Sequence, residues 1–439
     1  MKIKLNLMTK KNRSKKCAHR ALFLFALAIF SAANSYAEGF RNPPPGAFDL
    51  GRAGGRIAQV DDSSAVQQNP ANLVDITNLE AQLTPSVVYI SVDYHSASGD
   101  SANTRNPWKL LPNFFVSLPL KNDRFAAGLG VTVPYGLSMD WDRNASAFAD
   151  PAGWRYQSPY YAALTTINFN PTVAYRLNDE LSIGVGLDIM WSQLTIKQFY
   201  PSAFFGGAAD SNLKAEGDGF GYGGNLGITW KITDHQRVAV TYRSQMDVNQ
   251  QGDFRISNLA PGSAGLGATP QSDFGAVMKY PNIVAIGYGI ELTDKIRLES
   301  DIEWVQFSRF KSLDLNLGNN SVLFSSLGKS TSIAENWHDT FTAGFSGDWK
   351  FAEHWVARGG YQFYETPVPD STFSPTIPDA NQNVITVGLG WKGRHTSLEF
   401  AYGLDFYNDR NINSDQTPAF NGKYTFNVHL FSLAYRYAF

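Results

Sequence analysis

The stretch LSIGVGLDIMW, residues 181–191, places a large apolar residue at every second position and mostly small or polar residues between them. Side chains of a β-strand alternate between two faces, so this stretch predicts a strand with one apolar face. Glycines dominate the second face, which suits the inside of a barrel that has something packed within it.

The same alternation recurs in fourteen segments, and short turns alternate with long connections between them. The segments cover residues 80–95, 112–120, 124–133, 164–177, 181–192, 217–231, 236–250, 273–292, 295–310, 337–350, 354–364, 382–392, 396–407 and 423–439. The long connections include residues 134–163, 193–216 and 311–336. Short turns on one rim and long loops on the other are typical of outer-membrane barrels. The prediction is an all-β fold, a fourteen-stranded antiparallel transmembrane β-barrel over residues 80–439.

A soluble β-sandwich would show the same alternation, because it also buries one face of each strand. The barrel is favoured by aromatic residues near segment ends, such as Trp191, Trp230 and Trp304, which resemble interfacial girdles. It is also favoured by the aromatic alternation that ends the chain at Phe439. A terminal Phe in such a strand resembles the signal read by the barrel-assembly machinery. No apolar run reaches the ~20 residues of a membrane-spanning helix.

The N-terminus has the three parts of a secretory signal peptide. Residues 1–20 carry eight basic and no acidic residues, residues 21–30 are apolar, and Ser35-Tyr36-Ala37 supplies small residues before a cleavage site. We expect residues 1–37 to be removed and the mature chain to reside in the bacterial outer membrane. The single cysteine, Cys17, excludes a disulfide framework and a multi-thiolate metal site. An acidic, thiol-free exported chain also argues against nucleic acid as a partner.

Residues 38–79 differ from the rest of the chain, because they lack any period-two run. They contain Pro43-Pro44-Pro45 and the polar stretch DDSSAVQQNPANL at residues 61–73. A barrel of fourteen strands has more interior space than its own side chains can fill. The segment therefore either lies in the periplasm or folds into the lumen as an N-terminal hatch.

The mature chain resembles the FadL-type outer-membrane transporters of long-chain fatty acids and aromatic hydrocarbons. The resemblance rests on Leu50-Gly51-Arg52-Ala53, Asp61-Asp62, Asn69-Pro70-Ala71 and the closing Tyr437-Ala438-Phe439, in that order. It implies a passive transporter with a hatch inside the barrel, and neither enzymatic activity nor a cofactor nor a metal. It further implies capture of a hydrophobic molecule on apolar loops, an internal pocket, and lateral exit at a kink in the third strand.

Two groups of residues are candidates for the gate of such a transporter. They are Asn69, Pro70 and Ala71 of the predicted hatch, and Pro134, Tyr135 and Gly136 after the third strand. Proline removes a ladder donor and glycine relaxes the backbone, so strand pairing should break there. Spacing alone leaves open whether the break is a kink or the start of a loop, and the resemblance favours the kink.

The candidate ligand-binding residues are mostly aromatic. They are Phe40, Phe148, Trp154, Lys197, Gln198, Phe199, Phe204 and Phe205. Loops that faced only water would not hold so many large apolar groups, although these could also pack on one another to close the barrel. Where the fatty-acid transporters carry an Arg that binds the carboxylate, this chain has Gln198, with Lys197 beside it. That departure puts a fatty acid in doubt and leaves neutral hydrocarbons open.

Two other functions are alternatives to that of a transporter. A general porin for small polar solutes would need an open lumen, which the hatch and the apolar loops disfavour. A barrel enzyme would need a nucleophile beside a base, and no Gly-x-Ser-x-Gly or His-Glu-x-x-His motif is present. The expected partners are a hydrophobic small molecule, outer-membrane lipid and lipopolysaccharide, and the barrel-assembly machinery through the C-terminal strand.

Overall fold

The computed structural model describes residues 39–120 and 124–439, so the predicted signal peptide lies outside the described residues. The strands, numbered in chain order, are β1 Glu80–Leu83, β2 Ser86–His95, β3 Ser101–Asn103, β4 Trp108–Leu111, β5 Phe114–Pro119, β6 Phe125–Thr132, β7 Gly136–Asp140, β8 Tyr161–Arg176, β9 Leu181–Tyr200, β10 Ser211–Thr233, β11 Gln236–Arg243, β12 Met246–Ser257, β13 Gln271–Tyr280, β14 Ile283–Thr293, β15 Ile296–Val305, β16 Ser312–Asn316, β17 Ser332–Ala334, β18 Thr340–Ala352, β19 Trp355–Tyr364, β20 Gln382–Lys392, β21 Thr396–Tyr407, β22 Arg410–Ile412 and β23 Gly422–Ala438. The helices are α1 Ala47–Gly51, α2 Ala65–Gln68, α3 Pro261–Ala264 and α4 Asn320–Ser326, and a 3-10 helix spans Pro70–Asp75.

These strands form a closed antiparallel barrel with fourteen wall strands, which confirms the predicted fold. Several wall strands consist of two consecutive pieces: β1 with β2, β4 with β5, β6 with β7, β11 with β12, and β13 with β14. The barrel closes where β23 pairs with β1 and β2, in the register Glu80↔Ala438 and Ser86↔Ser432. Within the described ranges, no helix is long and apolar enough to cross a lipid bilayer.

The apolar face of the strands points outward. Leu187, Tyr222, Phe345 and Leu433 lie on four different wall strands and are 61%, 71%, 62% and 60% exposed. Monomeric soluble proteins rarely expose a contiguous apolar surface of this kind, whereas a membrane barrel presents it to lipid. The outward band therefore excludes the alternative of a soluble sandwich.

The predicted connection over residues 193–216 is wrong in extent, because β9 continues to Tyr200 and β10 begins at Ser211. The reason is that the large apolar residues of β9 move from its outward face to its inward face along the strand. Leu187 points outward, whereas Leu194 and Ile196 are buried on the inner side. The strand thus rises above the lipid-facing band with its apolar side chains turned inward, and the simple alternation ends before the strand does.

The other two predicted long connections also contain strands. Residues 134–163 include β7 and the start of β8, and residues 311–336 include β16, α4 and β17. The remaining connection between β7 and β8 spans residues 141–160, and it packs over the same end of the barrel as the loop between β15 and β18. Tyr156 of the first loop contacts Lys329 of the second and Gln198 and Phe204 of the β9–β10 connection. We call these parts together, residues 141–160, 198–210 and 306–339, the loop cap.

Residues 39–79 lie within the ring of strands, since their contacts reach wall strands on different sides. Ser63 Oγ donates to Glu80 on β1, Asn69 Nδ2 donates to Thr229 on β10, and Arg52 Nη2 donates to Glu299 on β15. Contacts spread over strands so far apart in the ring require the segment to occupy its interior. Its action as a movable hatch stays a prediction.

Candidate functional site

The third wall strand is interrupted at residues 133–135. The last pair before the interruption is Thr132↔Asn168 and the first after it is Gly136↔Thr165, so both pieces run along β8. Three residues of the third strand oppose two of β8 at this point, which is the geometry of a bulge. Pro134 therefore breaks a strand that then resumes, instead of starting a loop.

Beyond the break, the third strand has an edge that faces the second strand without pairing to it. β5 pairs with β6 as far as Phe114↔Val131, β4 pairs with β2, and β7 pairs with β8. Across the described residues, no ladder joins β4 to β7. Side chains span this line instead: Lys109 Nζ donates to Ser138 Oγ at 3.1 Å. At the far end of β7 the Arg105 N–H donates to the Asp140 carbonyl at 2.6 Å and the Asp142 N–H to the Asn103 carbonyl at 2.9 Å. Between these bonds and the break, the wall lacks the backbone ladder that holds it elsewhere.

The N-terminal segment bonds to the backbone groups that the break sets free. The Asn42 N–H donates to the Pro134 carbonyl at 3.0 Å, and the Gly136 N–H donates to the Phe40 carbonyl at 2.7 Å. Asn42 Nδ2 also donates to the Val133 carbonyl at 2.8 Å. A buried backbone group without a partner is costly, so these bonds stabilise the broken strand and the segment together.

The Phe40 side chain is fully buried in a cluster of aromatic rings. Its ring stacks on Trp337 with a centroid distance of 5.3 Å and meets Tyr280, Phe307 and Phe310 edge to face at 5.4–5.8 Å. Edge-to-face aromatic pairs contribute about 0.5–1.5 kcal/mol each beyond their buried area. The cluster therefore anchors the N-terminal segment beneath the loop cap.

A second anchor of this segment is an ion pair. Arg41 Nη1 donates to Oε1 of Glu303 on β15, and Arg41 Nη2 donates to Glu303 Oε2 at 2.9 Å. A bidentate Arg–carboxylate pair fixes orientation as well as position. Three kinds of contact thus hold this short stretch of backbone against the break: the ring packing of Phe40, the ion pair of Arg41 and the hydrogen bonds of Asn42.

A cavity of about 340 Å³ lies beneath the loop cap and beside the aromatic cluster. Its lining is largely apolar and includes Phe40, Leu137, Leu194, Ile196, Met278 and Phe310. A dry cavity of about 150 Å³ is enough for benzene. This cavity is therefore large enough for a substituted aromatic ring or a medium-length alkyl chain.

Of the predicted ligand-binding residues, Phe40 lines the cavity. Phe148, Trp154 and Phe199 are buried above it in the loop cap, where the Trp154 ring meets those of Tyr94 and Trp141 at 4.4 and 5.1 Å. Phe204 is 66% exposed, and Phe205, beside it, is partly buried. The roles of these residues as ligand contacts stay predictions.

Lys197 and Gln198 occupy opposite faces of β9, as adjacent strand residues must. The Lys197 ammonium lies 4.5 Å from the centre of the Tyr161 ring, on the outward face that also carries Leu187. Gln198 Nε2 donates to the Tyr156 carbonyl at 2.5 Å. Lys197 therefore points away from the cavity, and Gln198 ties the strand to the loop cap.

Sequence reasoning did not identify Glu335, which also lines the cavity. It is a lone acidic residue in a long loop, between Ala334 and Asn336, and no motif surrounds it. The signal that reveals it is three-dimensional, because its side chain is only 5% exposed although its sequence context is polar.

The second candidate gate group, Asn69-Pro70-Ala71, packs against two glycines of the wall. Asn69 Nδ2 donates to the Ile57 carbonyl and to Thr229 Oγ1, both at 2.8 Å. A Cβ atom at Gly184 on β9 would lie 2.3 Å from the backbone carbon of Pro70, and one at Gly227 would lie 2.1 Å from Asn69 Oδ1. The two glycines therefore let this backbone approach the wall closely.

We expect Gly184→Ala to dislodge the Asn69–Ala71 stretch without unfolding the barrel, because the added methyl group meets backbone that cannot yield by a rotamer change. The N-terminal segment should then be cleaved at least several-fold faster by a protease added to solubilised barrels. Gly359→Ala on β19 is the matched control, since its nearest neighbour would be 3.7 Å away. Equal cleavage rates in the two variants would show that the close contact does not hold the segment.

Comparison with known proteins places this architecture in a family. Residues 28–439 match the family model described as outer membrane protein transport protein (OMPP1/FadL/TodX). A long-chain fatty acid transport protein of Escherichia coli O6:H1 is 26% identical over 404 residues, covering 83% of this chain and 85% of that protein. Outer membrane protein P1 of Haemophilus influenzae is 23% identical, covering 94% and 97%.

Solved structures show the same fold. A FadL homologue of Pseudomonas aeruginosa superposes with a TM-score of 0.76 at 22% identity, over 91% of this chain and all of that chain. The toluene transporter TodX of P. putida superposes with a TM-score of 0.72 at 15% identity, over 91% and 99%. The matching family consists of transport proteins, which confirms that the chain is not an enzyme. The chain belongs to the OMPP1/FadL/TodX family of outer-membrane transport proteins.

Proposed function

We propose that this protein moves hydrophobic molecules passively from the cell exterior through the cavity to a lateral exit at the broken third strand. One observation supports this most directly: Phe40 takes part in both places. Its side chain lines the cavity, and its carbonyl oxygen accepts the Gly136 N–H at the break. Movement of this single residue would open the cavity and release the break together.

A lateral exit suits the physical chemistry of such a solute. Transfer of an apolar molecule from water into hydrocarbon gains about 0.8 kcal/mol per CH₂ group. A solute that crossed a water-filled lumen would forgo that gain for the whole passage. An exit through the line between β4 and β7 would lead it from the apolar cavity directly into lipid.

The N-terminal segment acts in this scheme as the hatch, and residues 40–42 act as its movable end. Three hydrogen bonds and one ion pair hold this end in place, and each lies next to the cavity or to the break. A ligand that displaced the Phe40 ring would strain this short stretch. Asn69, Pro70 and Ala71 keep the body of the hatch docked on the wall while its end moves.

The substrates are hydrophobic compounds, either long-chain fatty acids or aromatic hydrocarbons. The names of the relatives include both a long-chain fatty acid transport protein and a toluene transporter. The apolar lining of the cavity is compatible with the tail of either class. Phe204 and Phe205 would supply the surface for first capture, and the buried Phe148, Trp154 and Phe199 would line the path beneath it.

Two partners complete the proposal. The outward aromatic and aliphatic band would be surrounded by outer-membrane lipid, with lipopolysaccharide around the loop cap. The closing strand β23, which leads to the terminal Phe439, would be the element that the barrel-assembly machinery recognises.

Cells that lack the protein should take up at least one of labelled toluene and labelled oleate several-fold more slowly than cells that carry it, because they lack the proposed route. Uptake rates of both probes at low external concentration measure this effect. In planar bilayers, the protein should pass little steady ionic current, since the proposed hatch would obstruct the lumen. Equal uptake with and without the protein, together with large steady currents, would instead support a general porin.

A further inference from the structure

The described lining of the cavity carries an acidic side chain and no basic one. Among the described residues that line it, Glu335 is the one ionisable side chain, and no Lys, Arg or His accompanies it. Trp337 Nε1 donates to Glu335 Oε2 at 3.0 Å. The cavity therefore offers a carboxyl group where a carboxylate ligand would need a cation.

The elements around Glu335 supply neutral groups. Its backbone N–H donates to the Lys311 carbonyl at 2.8 Å, and the Thr372 hydroxyl donates to its own carbonyl. Asp379 on the next loop accepts hydrogen bonds from the Gly39 N–H and the Thr366 hydroxyl. Burial without a compensating cation raises the pKa of Glu335 to about 8.

We propose that Glu335 is a specificity-determining residue that makes the cavity accept uncharged hydrophobic molecules, alcohols and phenols above all, and reject carboxylates. The inference rests on the proposed function, because it assigns a class of substrate to the same cavity. It agrees with an independent feature of β9, where the neutral Gln198 bonds to the Tyr156 carbonyl and Lys197 points outward, so neither supplies a cation to the cavity.

Desolvation gives the reason for the discrimination. An ionised carboxylate that enters an apolar cavity loses its hydration, and without a cationic partner the loss is not recovered. Above its pKa Glu335 is itself ionised, and this second negative charge then adds repulsion at short range and low dielectric. A hydroxyl group loses much less hydration and can donate to the Glu335 carboxyl group in either of its protonation states.

A second polar atom on the lining fits a hydroxyl group. Thr417 Oγ1 is buried and has no hydrogen-bond partner within the part of the chain that the structure describes. Glu335 and Thr417 belong to the polar minority of a largely apolar lining, which is the usual composition of a site for a small amphipathic molecule. The other polar residues of the lining are Gln157, Ser371, Thr372, Ser374, Thr376 and Gln416. The cavity volume of about 340 Å³ suits a molecule of about ten carbon atoms.

The test compares 1-decanol with decanoate, which share a ten-carbon chain and differ in the head group. Binding of each radiolabelled probe to the purified protein in lipid nanodiscs is measured at pH 6 and pH 9, and binding to empty nanodiscs is subtracted. Free carboxyl groups titrate near pH ~4 in water, but desolvation in lipid raises the pKa of decanoate as burial raises that of Glu335. The readout is therefore the difference in pH dependence between the natural chain and a variant. Glu335→Gln is the test variant.

At pH 9, the natural chain should bind decanol at least about tenfold more tightly than decanoate, and the ratio should fall several-fold at pH 6, where Glu335 is neutral. In Glu335→Gln the change of this ratio with pH should be several-fold smaller than in the natural chain, with decanol binding retained as evidence of folding. Asp314→Asn, an exposed acid of the same loop, is the matched control and should keep the pH dependence.

Lys329 needs its own control, because burial lowers its pKa to about 8 and it belongs to the same loop. Its ammonium donates to the Tyr156 carbonyl. Lys329→Gln should keep the pH dependence of the decanol to decanoate ratio. A ratio that loses its pH dependence in Lys329→Gln and keeps it in Glu335→Gln would overturn the assignment to Glu335.

Two other outcomes separate this inference from the proposed function. Equal binding of decanol and decanoate at both pH values would overturn the specificity of the cavity and leave transport of hydrophobic molecules standing. Binding of neither probe above the empty nanodiscs would overturn both, since the cavity would then not be a ligand site.

Discussion

Oxidation of a cysteine pair at positions 41 and 135 should abolish uptake of hydrophobic probes. The double variant Arg41→Cys with Tyr135→Cys places one cysteine on the end of the N-terminal segment and one in the break of the third strand. These residues are partners in an isolated antiparallel bridge. Partners in such a bridge have Cα atoms about 4.5–5.5 Å apart, which a disulfide can span.

The expected effect is large because the disulfide blocks the one movement that the proposed route requires. With the segment tied to the break, Phe40 can neither leave the cavity nor release the Gly136 N–H. We expect at least a tenfold fall in the rate of toluene uptake on oxidation, and recovery when dithiothreitol reduces the bond. The reduced double variant is its own reference, so the lost Arg41–Glu303 ion pair affects both states equally.

A second cysteine pair tests whether any cross-link in this part of the barrel slows uptake, or only one that closes the proposed gate. Ser138→Cys with Ala163→Cys joins β7 to β8, which are already paired in that register. Its oxidation should leave uptake unchanged. The sole natural cysteine, Cys17, lies in the predicted signal peptide, so the engineered pairs would be the only thiols of the mature chain. Undiminished uptake by the oxidised 41–135 pair would disprove lateral exit at this break.

The barrel was predictable because its determinants are local. Alternation such as that of residues 181–191 arises because one face of the strand meets lipid. Every wall strand meets lipid, so each one shows the alternation in its own sequence. The same logic failed above the membrane, where Leu194 and Ile196 turn inward to the cavity. There the inner face becomes apolar, so a rule that assumes one environment along the whole strand ends β9 too early.

The break at Pro134 could be located from the sequence, but its nature could not. Proline and glycine show where pairing fails, whereas only the register of β8 shows that the strand resumes after Thr132. The hydrogen bonds from residues 40–42 are equally invisible in the sequence, since backbone groups make most of them. Glu335 was missed for a similar reason, because a single acidic residue in a loop carries no pattern.

Removal of the Glu299 carboxylate should release the N-terminal segment and open the lumen to ions. This group, buried on β15, accepts hydrogen bonds from the backbone N–H groups of Ile57, Ala58 and Gln59 at 2.6, 2.6 and 3.1 Å, and from Arg52 Nη2 at 2.8 Å. Glu299→Ala leaves all four donors without this acceptor. Breaking one partner of a buried ion pair costs about 3–5 kcal/mol.

We expect Glu299→Ala to raise the steady conductance of the protein in planar bilayers several-fold over the low value of the natural chain. Glu299→Gln should give a smaller rise, since its side-chain oxygen can still accept from part of the donor set. Glu291→Ala, at the short-turn end of β14, is the control and should conduct as the natural chain does.

The comparison of current with uptake decides what the segment does. If Glu299→Ala conducts ions and still takes up toluene at the natural rate, the body of the segment is a plug against polar solutes, and the route for hydrophobic molecules bypasses it. If conductance stays low, the other ion pairs of the lumen, such as Arg41 with Glu303, suffice to hold the segment. In that case Glu299 would orient residues 57–59 but would not be needed to keep the lumen closed to ions, and the prediction for this residue would be wrong.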